Sequence, residues 1–291
     1  ANPGLLTTQD LAGYAVRERE PLCTLWRMTI RVCGMPPPSS GHLAVMQILG
    51  VLERLPTQPG LQLGAPSVDF LHQYTEAARL AFADRAQFVA DSDFVAPPGG
   101  RWTSLLDDAY LQQRAALIGL MSMKTAQPGQ PVGATRTHAP QAAQLETGTS
   151  HISVVDAQGK AVSMTTSIEA VFGARLMSDG GSGLPGGFFL NNQLTDFSFA
   201  PVGADGTPVA NRVQPGKRPR SSMSPTLVFD ARDGRLLMSL GSPGGAAIIH
   251  FTAKTLLGTL AWGLNPQAAI DLPNFGSFNG PTVLEKGRHS P

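Results

Sequence analysis

In "LWRMTIRV" (25–32), Trp26, Met28, Ile30 and Val32 alternate with Arg27, Thr29 and Arg31, which is the period of one strand with one wet face. The next stretch, "GMPPPSSGHLAVMQILGVLERL", supplies a proline stop and then Ser39 or Ser40 as a helix cap. Val45, Ile48, Leu49 and Leu52 mark the buried stripe of that helix. A second helix is expected from Ser67, with Phe70, Tyr74, Ala77, Ala81 and Phe88 on one face, and a third near Ser104. From Lys124 to Gly148, "KTAQPGQPVGATRTHAPQAAQLETG" shows neither period and reads as a polar linker.

Beyond that linker the pattern changes from helical to alternating. "HISVVDAQGKAVSMTTSI" is two alternating runs around "DAQG", and "SPTLVFDARDGRLLMSL" is two more around "DARDG", so both predict hairpins. "GFFLNN" is a further strand, and "GSPGGAAIIHFTAKTLLGTLAWG" is a Gly-rich turn opening into an apolar helix. Helices followed by antiparallel hairpins, without an internal repeat, argue for packed α and β layers.

Composition narrows the function classes. A chain of 291 residues can bury a sizeable core. Its net charge of +1, without a basic run or interleaved aromatics, argues against nucleic acid and anionic membrane surfaces. No apolar stretch approaches the ~20 residues of a membrane span, and "ANPGLLTTQDLAGY" lacks the apolar core of an export signal. Cys23 and Cys33 fall in one extended segment without His neighbours, which argues against zinc. Two buried thiols are the expected reading; a disulfide is the alternative, and it requires Cα atoms within ~7 Å, which a single straight strand forbids.

The first hairpin beyond the linker carries candidate chemistry. With Ala157, Gln158 and Gly159 as its loop, Ser167 falls opposite Thr149, where facing Cβ atoms are about 4.5–5.5 Å apart. If the strand continues, Glu169 projects from the same face. A threonine hydroxyl needs a base. Cutting the bond after Gly148 would give Thr149 a free α-amine with a pKa near ~7.7–8.0, so one residue would carry both nucleophile and base. The backbone N–H groups of Gly244 and Gly245, ahead of a helix, suit an oxyanion. Each feature also has a plain structural reading: a β-branched residue starting a strand, a solvated serine beside it, a structural glycine turn. "SDGGSGLPGG" lacks the GK[ST] ending of a phosphate loop and reads as a flexible turn. His42, His138, His250 and His289 have no regular spacing and default to packing or surface roles; His151, just after a strand start, is a catalytic candidate whose default is also core or surface use.

Taken together, "TSHISVVDAQGKAVSMTTSIEAVFG", "FFLNNQLTDFS", "KRPRSSMSPT" and "GSPGG" resemble, in order and rough spacing, the γ-glutamyltranspeptidase family of N-terminal-nucleophile hydrolases. "MPPPSSG" and "EAARLAFADR" look like that family's large subunit. The resemblance implies a precursor that cuts itself between Gly148 and Thr149, and an αββα four-layer sandwich that is incomplete in this chain. Residues 1–148 would be the C-terminal part of the large-subunit region, ending in the linker at 124–148. Residues 149–291 would be a small-subunit region truncated at its C-terminus, the two together forming one domain. On the same resemblance Thr149 is the nucleophile and Ser167 its hydroxyl partner. Glu169, Gln193 and Asp196 hold the substrate α-ammonium, Ser221 and Ser222 its α-carboxylate, and Gly244 and Gly245 form the oxyanion hole. The implied activity is γ-glutamyl transfer or hydrolysis on glutathione-like amides through an acyl-enzyme, with an amino acid or peptide as acceptor and neither metal nor organic cofactor. A periplasmic or secreted location is implied too. The chain departs from the family where His42 follows "SSG", where "LPNFGSFNGPT" replaces a Pro-Arg stretch, and where the N-terminal arginine that clamps the substrate carboxylate is missing. A cephalosporin or glutaryl-amide acylase of the same fold, or an inactive uncleaved precursor fragment, are the alternatives.

Overall fold

Residues 22–34 form a hairpin instead of the single strand their alternation suggests. In this computed structural model, which describes residues 7–56, 60–144, 146–178, 181, 183 and 185–289, the short helix α1 (Thr8–Ala12) precedes β1 (Leu22–Trp26). The chain then turns through Arg27, Met28 and Thr29 into β2 (Ile30–Gly34). Arg27 and Met28 are both left-handed, with φ of 49° and 60°. Such turns usually carry Gly or Asn; here the alternation runs across the turn unbroken and conceals it. The pairing sets Cys23 opposite Cys33, and the two form a disulfide with Cα atoms 4.1 Å apart. The expectation of two free thiols fails because the segment folds back on itself.

Along the chain follow α2 (Gly41–Leu52), a ribbon of β3 (Leu61–Gln62) and β4 (Ala65–Pro66), α3 (Val68–Phe88) and α4 (Asp108–Ala115). The helix expected near Ser104 is a 3-10 turn, Trp102–Leu106, leading into α4. The second half holds β5 (Ser150–Val155), β6 (Ala161–Thr166), a ribbon of β7 (Met177–Ser178) and β8 (Phe188–Phe189), then β9 (Thr226–Asp230) and β10 (Leu236–Leu240). Helices α5 (Ile248–Leu256) and α6 (Pro266–Asp271) and the ribbon β11 (Phe275–Ser277)–β12 (Thr282–Leu284) complete it. Of "SDGGSGLPGG", residues 179, 180, 182 and 184 lie outside the described residues.

The core lies on one face of an antiparallel sheet of order β1–β2–β9–β10. Trp26, Val32 and Val228 from the sheet join Ile48, Leu49, Tyr74, Ile249 and Leu256 from α2, α3 and α5 in one cluster, each at most 2% exposed. Burying each large apolar side chain contributes ~1.5–3 kcal/mol. Helix α2 is buried on every side from Gly41 to Val51, so its expected stripe is only part of its contact surface. Helix α3 starts as expected at Ser67, whose hydroxyl accepts the Phe70 N–H at 3.2 Å.

The β5–β6 hairpin lies over the other face of the sheet, at the β10 end. Ser163 Oγ donates to the Leu240 carbonyl (2.9 Å) and accepts the Thr226 N–H (3.0 Å). Its apolar residues Ile152, Val154, Val162 and Met164 point outward. The described residues of the linker form turns and one bridge, Ala139 with Val209, but they are not loose. The Gly129 N–H donates to Asp84 (2.7 Å), the Gln141 N–H to the Ala86 carbonyl (3.0 Å), and Gln87 donates to the His138 carbonyl (2.6 Å). The last turn of α3 thus carries the linker toward the start of β5.

Candidate active site

Hairpin geometry places the nucleophile candidate. Ser150 pairs with Thr166 and Val155 with Ala161, with Gly159 left-handed in the loop (φ 81°). That register sets Thr149 opposite Ser167, and Thr149 Oγ1 donates to Ser167 Oγ at 3.1 Å. Ser167 Oγ also accepts the Glu169 N–H at 2.9 Å. Strand β6 stops at Thr166 and Glu169 is left-handed (φ 71°), so its carboxylate reaches the cavity by a turn and not by a continued strand.

The backbone at the Gly148–Thr149 bond is unusual. Gly148 and Thr149 are both left-handed, with φ of 88° and 87°. For a β-branched residue this conformation is strained. A Cβ at position 148 would lie 1.5 Å from the Glu169 carbonyl oxygen, so only glycine fits. The Gly148 carbonyl accepts the Gly244 N–H at 3.0 Å. Gly245 lines the cavity beside it, and a Cβ there would lie 2.1 Å from the Glu146 carbonyl oxygen. A 3-10 turn, Gly245–Ala247, leads from this loop into α5.

These groups share one small cavity of about 20 Å³, roughly the space of one water. Thr149, Ser167 and Glu169 form one side of it; Gln193 and Asp196 come from a 3-10 turn after β8, and Ser221 and Ser222 from the segment before β9. The Ala170 N–H donates to Asn192 Oδ1 (2.9 Å), tying the 193–196 turn to the end of the hairpin. All the site residues proposed from the sequence therefore converge, with Gly244 touching through its backbone. The histidines do not: His151 bonds Thr165 and Ser153, while His42 and His250 are buried against Thr24 and Tyr74.

Residues 1–288 match the Gamma-glutamyltranspeptidase family model. The chain belongs to the γ-glutamyltranspeptidase family. It is 36% identical over 282 residues to "Glutathione hydrolase proenzyme" of Escherichia coli (strain K12), covering 94% of this chain and 44% of that relative. It is 32% identical over 289 residues to "Acylase ACY 1 proenzyme" of Pseudomonas sp. (strain V22), covering 98% of this chain and 46% of the relative. Among solved structures, cephalosporin acylase from Bacillus halodurans superimposes with a TM-score of 0.74 at 26% identity, over 94% of this chain and 43% of that one. The chain spans less than half the length of the curated relatives it matches. Its mixed helix-and-sheet layering is that of the N-terminal-nucleophile hydrolases among these neighbours.

In this member of the γ-glutamyltranspeptidase family, three charged residues that the sequence did not single out meet at the cavity: Glu146 lines it, and Arg85 and Arg220 stand behind Glu146. The Glu146 carboxylate, in the linker, accepts from Arg85 Nη2 (2.9 and 3.2 Å) and from Ser222 Oγ (2.5 Å), with Arg220 3.9 Å away. Burial pushes the Glu146 carboxyl upward, but Arg85 and Arg220 outweigh it and hold it below its ordinary value. Arg220 itself is lowered to about 9 by burial and by Arg85. Across the cavity Glu169 and Asp196 have no ion-pair partner among the described residues. Burial raises both; Asp196 reaches about 7, with Glu146 and Glu169 adding to the effect. A signal for Arg85 existed: it lies four residues after Ala81 and three before Phe88, a charge on the stripe read as buried. Glu146 is the only Asp, Glu, Lys or Arg between Arg136 and Asp156.

Proposed function

We propose that this chain carries the catalytic centre of a γ-glutamyl transferase/hydrolase whose nucleophile, Thr149, is exposed by self-cleavage. The observation that carries the reading is the Thr149 hydroxyl bonded to Ser167 while the carbonyl of the preceding glycine already rests on the Gly244 N–H. In the first reaction, Thr149 Oγ1 attacks the Gly148 carbonyl carbon. The amide C–N bond breaks as its nitrogen takes the hydroxyl proton, and water hydrolyses the resulting ester. The products are a Gly148 carboxylate and a Thr149 with a free hydroxyl and a free amine.

In the mature reaction that amine, neutral in useful amount near its reference pKa of ~7.7–8.0, takes the hydroxyl proton. The oxygen attacks the γ-glutamyl carbonyl, and Gly244 and Gly245 stabilise the oxyanion. The leaving amine departs with the proton, and water or an acceptor amine resolves the acyl-enzyme. Glu169 and Asp196 supply the opposite charge that a desolvated α-ammonium requires, with Gln193 beside them. Ser221 and Ser222 take the α-carboxylate. The Cys23–Cys33 disulfide supports an oxidising compartment, in keeping with periplasmic or secreted placement.

A second reading, acylase action on glutaryl amides, is favoured by the likeness to the ACY 1 proenzyme and to cephalosporin acylase. Unpaired Glu169 and Asp196 weigh toward the γ-glutamyl reading, because a glutaryl group brings no ammonium. Intact mass tests the shared nucleophile: wild type should separate at Gly148–Thr149 and Thr149→Ala should stay whole. Cleavage persisting at that bond in the variant ends the proposal. Relative turnover of γ-glutamyl and glutaryl anilides by the mature protein then separates the two substrate readings.

A further inference from the structure

We infer that Glu146 is the positioning residue for self-cleavage: it anchors the linker in the Arg85–Arg220–Ser222 pocket, which sets the Gly148–Thr149 bond for attack and keeps that pocket closed until the bond is cut. The inference rests on the self-cleavage reading above. Its ground is the way the linker is tied down. Four successive residues of α3 hold it, Asp84 at Gly129, Arg85 at Glu146, Ala86 at Gln141 and Gln87 at His138. Glu146 is the last of these anchors and the only charged one, two residues before the bond to be cut.

From there each residue in turn is gripped from outside the linker. The Glu146 side chain goes to α3 and to the segment before β9, the Thr147 N–H to Glu169 (3.3 Å), the Gly148 carbonyl to Gly244, and the Thr149 hydroxyl to Ser167. The left-handed pair at 148–149 is held at both ends, upstream by a clasped carboxylate and downstream by β5. An attack geometry is lost by displacements of about 1 Å, and without the Glu146 clasp the upstream end is held by backbone contacts alone. The clasp also fills the cavity: side chains of Arg85 and Glu146 are 7% and 8% exposed, and Ser222 is directed at the linker carboxylate instead of a ligand. Once the new Gly148 terminus withdraws, two buried guanidiniums lose their counter-charge. The vacated pocket then has the charge and hydroxyl donor to take an incoming carboxylate.

The test uses the chain as it is naturally produced, with Glu146→Gln, Glu146→Ala and Thr149→Ala followed by intact mass over time. Wild type should cleave, Thr149→Ala should not, and Glu146→Gln should cleave at least tenfold more slowly when each is followed well below its own unfolding temperature. Glu146→Gln keeps the side-chain shape, so it carries the test should Glu146→Ala fail to fold. Acetate added to Glu146→Ala distinguishes an anchor from a simple counter-charge. A free anion should raise the melting temperature by refilling the pocket, yet leave cleavage slow, because it is not attached to Gly148. Wild-type cleavage kinetics in Glu146→Gln, or restoration of cleavage by acetate, overturns the anchor and leaves self-cleavage standing. A wild type that never cleaves overturns both.

Discussion

The acidic groups on the two sides of the cavity differ in how they are satisfied. On one, the linker carboxylate of Glu146 is backed by Arg85 and Arg220. On the other, Glu169 and Asp196 face the same space with no ion-pair partner among the described residues, and burial raises both carboxyls. On the proposed function, with Glu146 withdrawn and the arginines behind it uncovered, the two sides would complement a zwitterionic α-amino acid. In the uncut chain only the anionic half of that complement is present, supplied by Glu146. The asymmetry separates two jobs under the proposed function: the arginines behind Glu146 stabilise the uncut linker, whereas Asp196 is left for a ligand.

Removing the paired cation should give the largest effect. In the uncut Thr149→Ala background, Arg85→Met leaves Glu146 buried without its main partner, and breaking such a pair costs about 3–5 kcal/mol. Urea unfolding measures it, and a loss below ~1 kcal/mol would show that the clasp contributes little to the fold. On the acidic wall the same background should tolerate Asp196→Asn. In the mature enzyme as proposed, however, that change should remove a charge-assisted bond to the ammonium, worth about 1.5–3 kcal/mol or roughly ten- to a hundredfold in kcat/KM. Glutaryl amides should lose much less; equal losses would place Asp196 in the fold and not in substrate reading.

The smallest expected effect is a pH dependence. The folded Asp196 carboxyl is raised from 3.8 to about 7, so its contribution to stability is fully present below about 4 and is lost as pH rises through about 7. The uncut chain should therefore lose some stability across that window, and Asp196→Asn should flatten the slope. Thermal melts at fixed ionic strength report it. An unchanged slope in the variant would assign the trend to Glu169 or another group.

How far the sequence speaks depends on how local the signal is. The "DAQG" turn sets the β5–β6 register, and with it the Thr149–Ser167 contact, because a hairpin's pairing follows from its loop. Ser67 is legible as a cap from its own position. Turn chemistry also explains the failure at Arg27–Met28, where left-handed residues lack the usual Gly or Asn and the disulfide follows from a fold-back no spacing rule could see. Gln193, Asp196, Ser221 and Ser222 reach the cavity by long-range topology, such as the parallel bridge of Ser39 with Ser221. Only the family resemblance singled them out beforehand. Glu146 was passed over because a charge in a linker ordinarily faces water; here two arginines from separate elements meet it.

The left-handed pair at Gly148 and Thr149 also bears on reversibility. A threonine held at φ 87° stores conformational free energy of order 1–3 kcal/mol, which the severed ends can release by relaxing into ordinary backbone regions. Rejoining them would require restoring that conformation and bringing the Gly148 terminus back against the crowded Glu169 carbonyl. Under the proposed self-cleavage, this geometry makes maturation a ratchet, because the backbone that favours opening opposes the return.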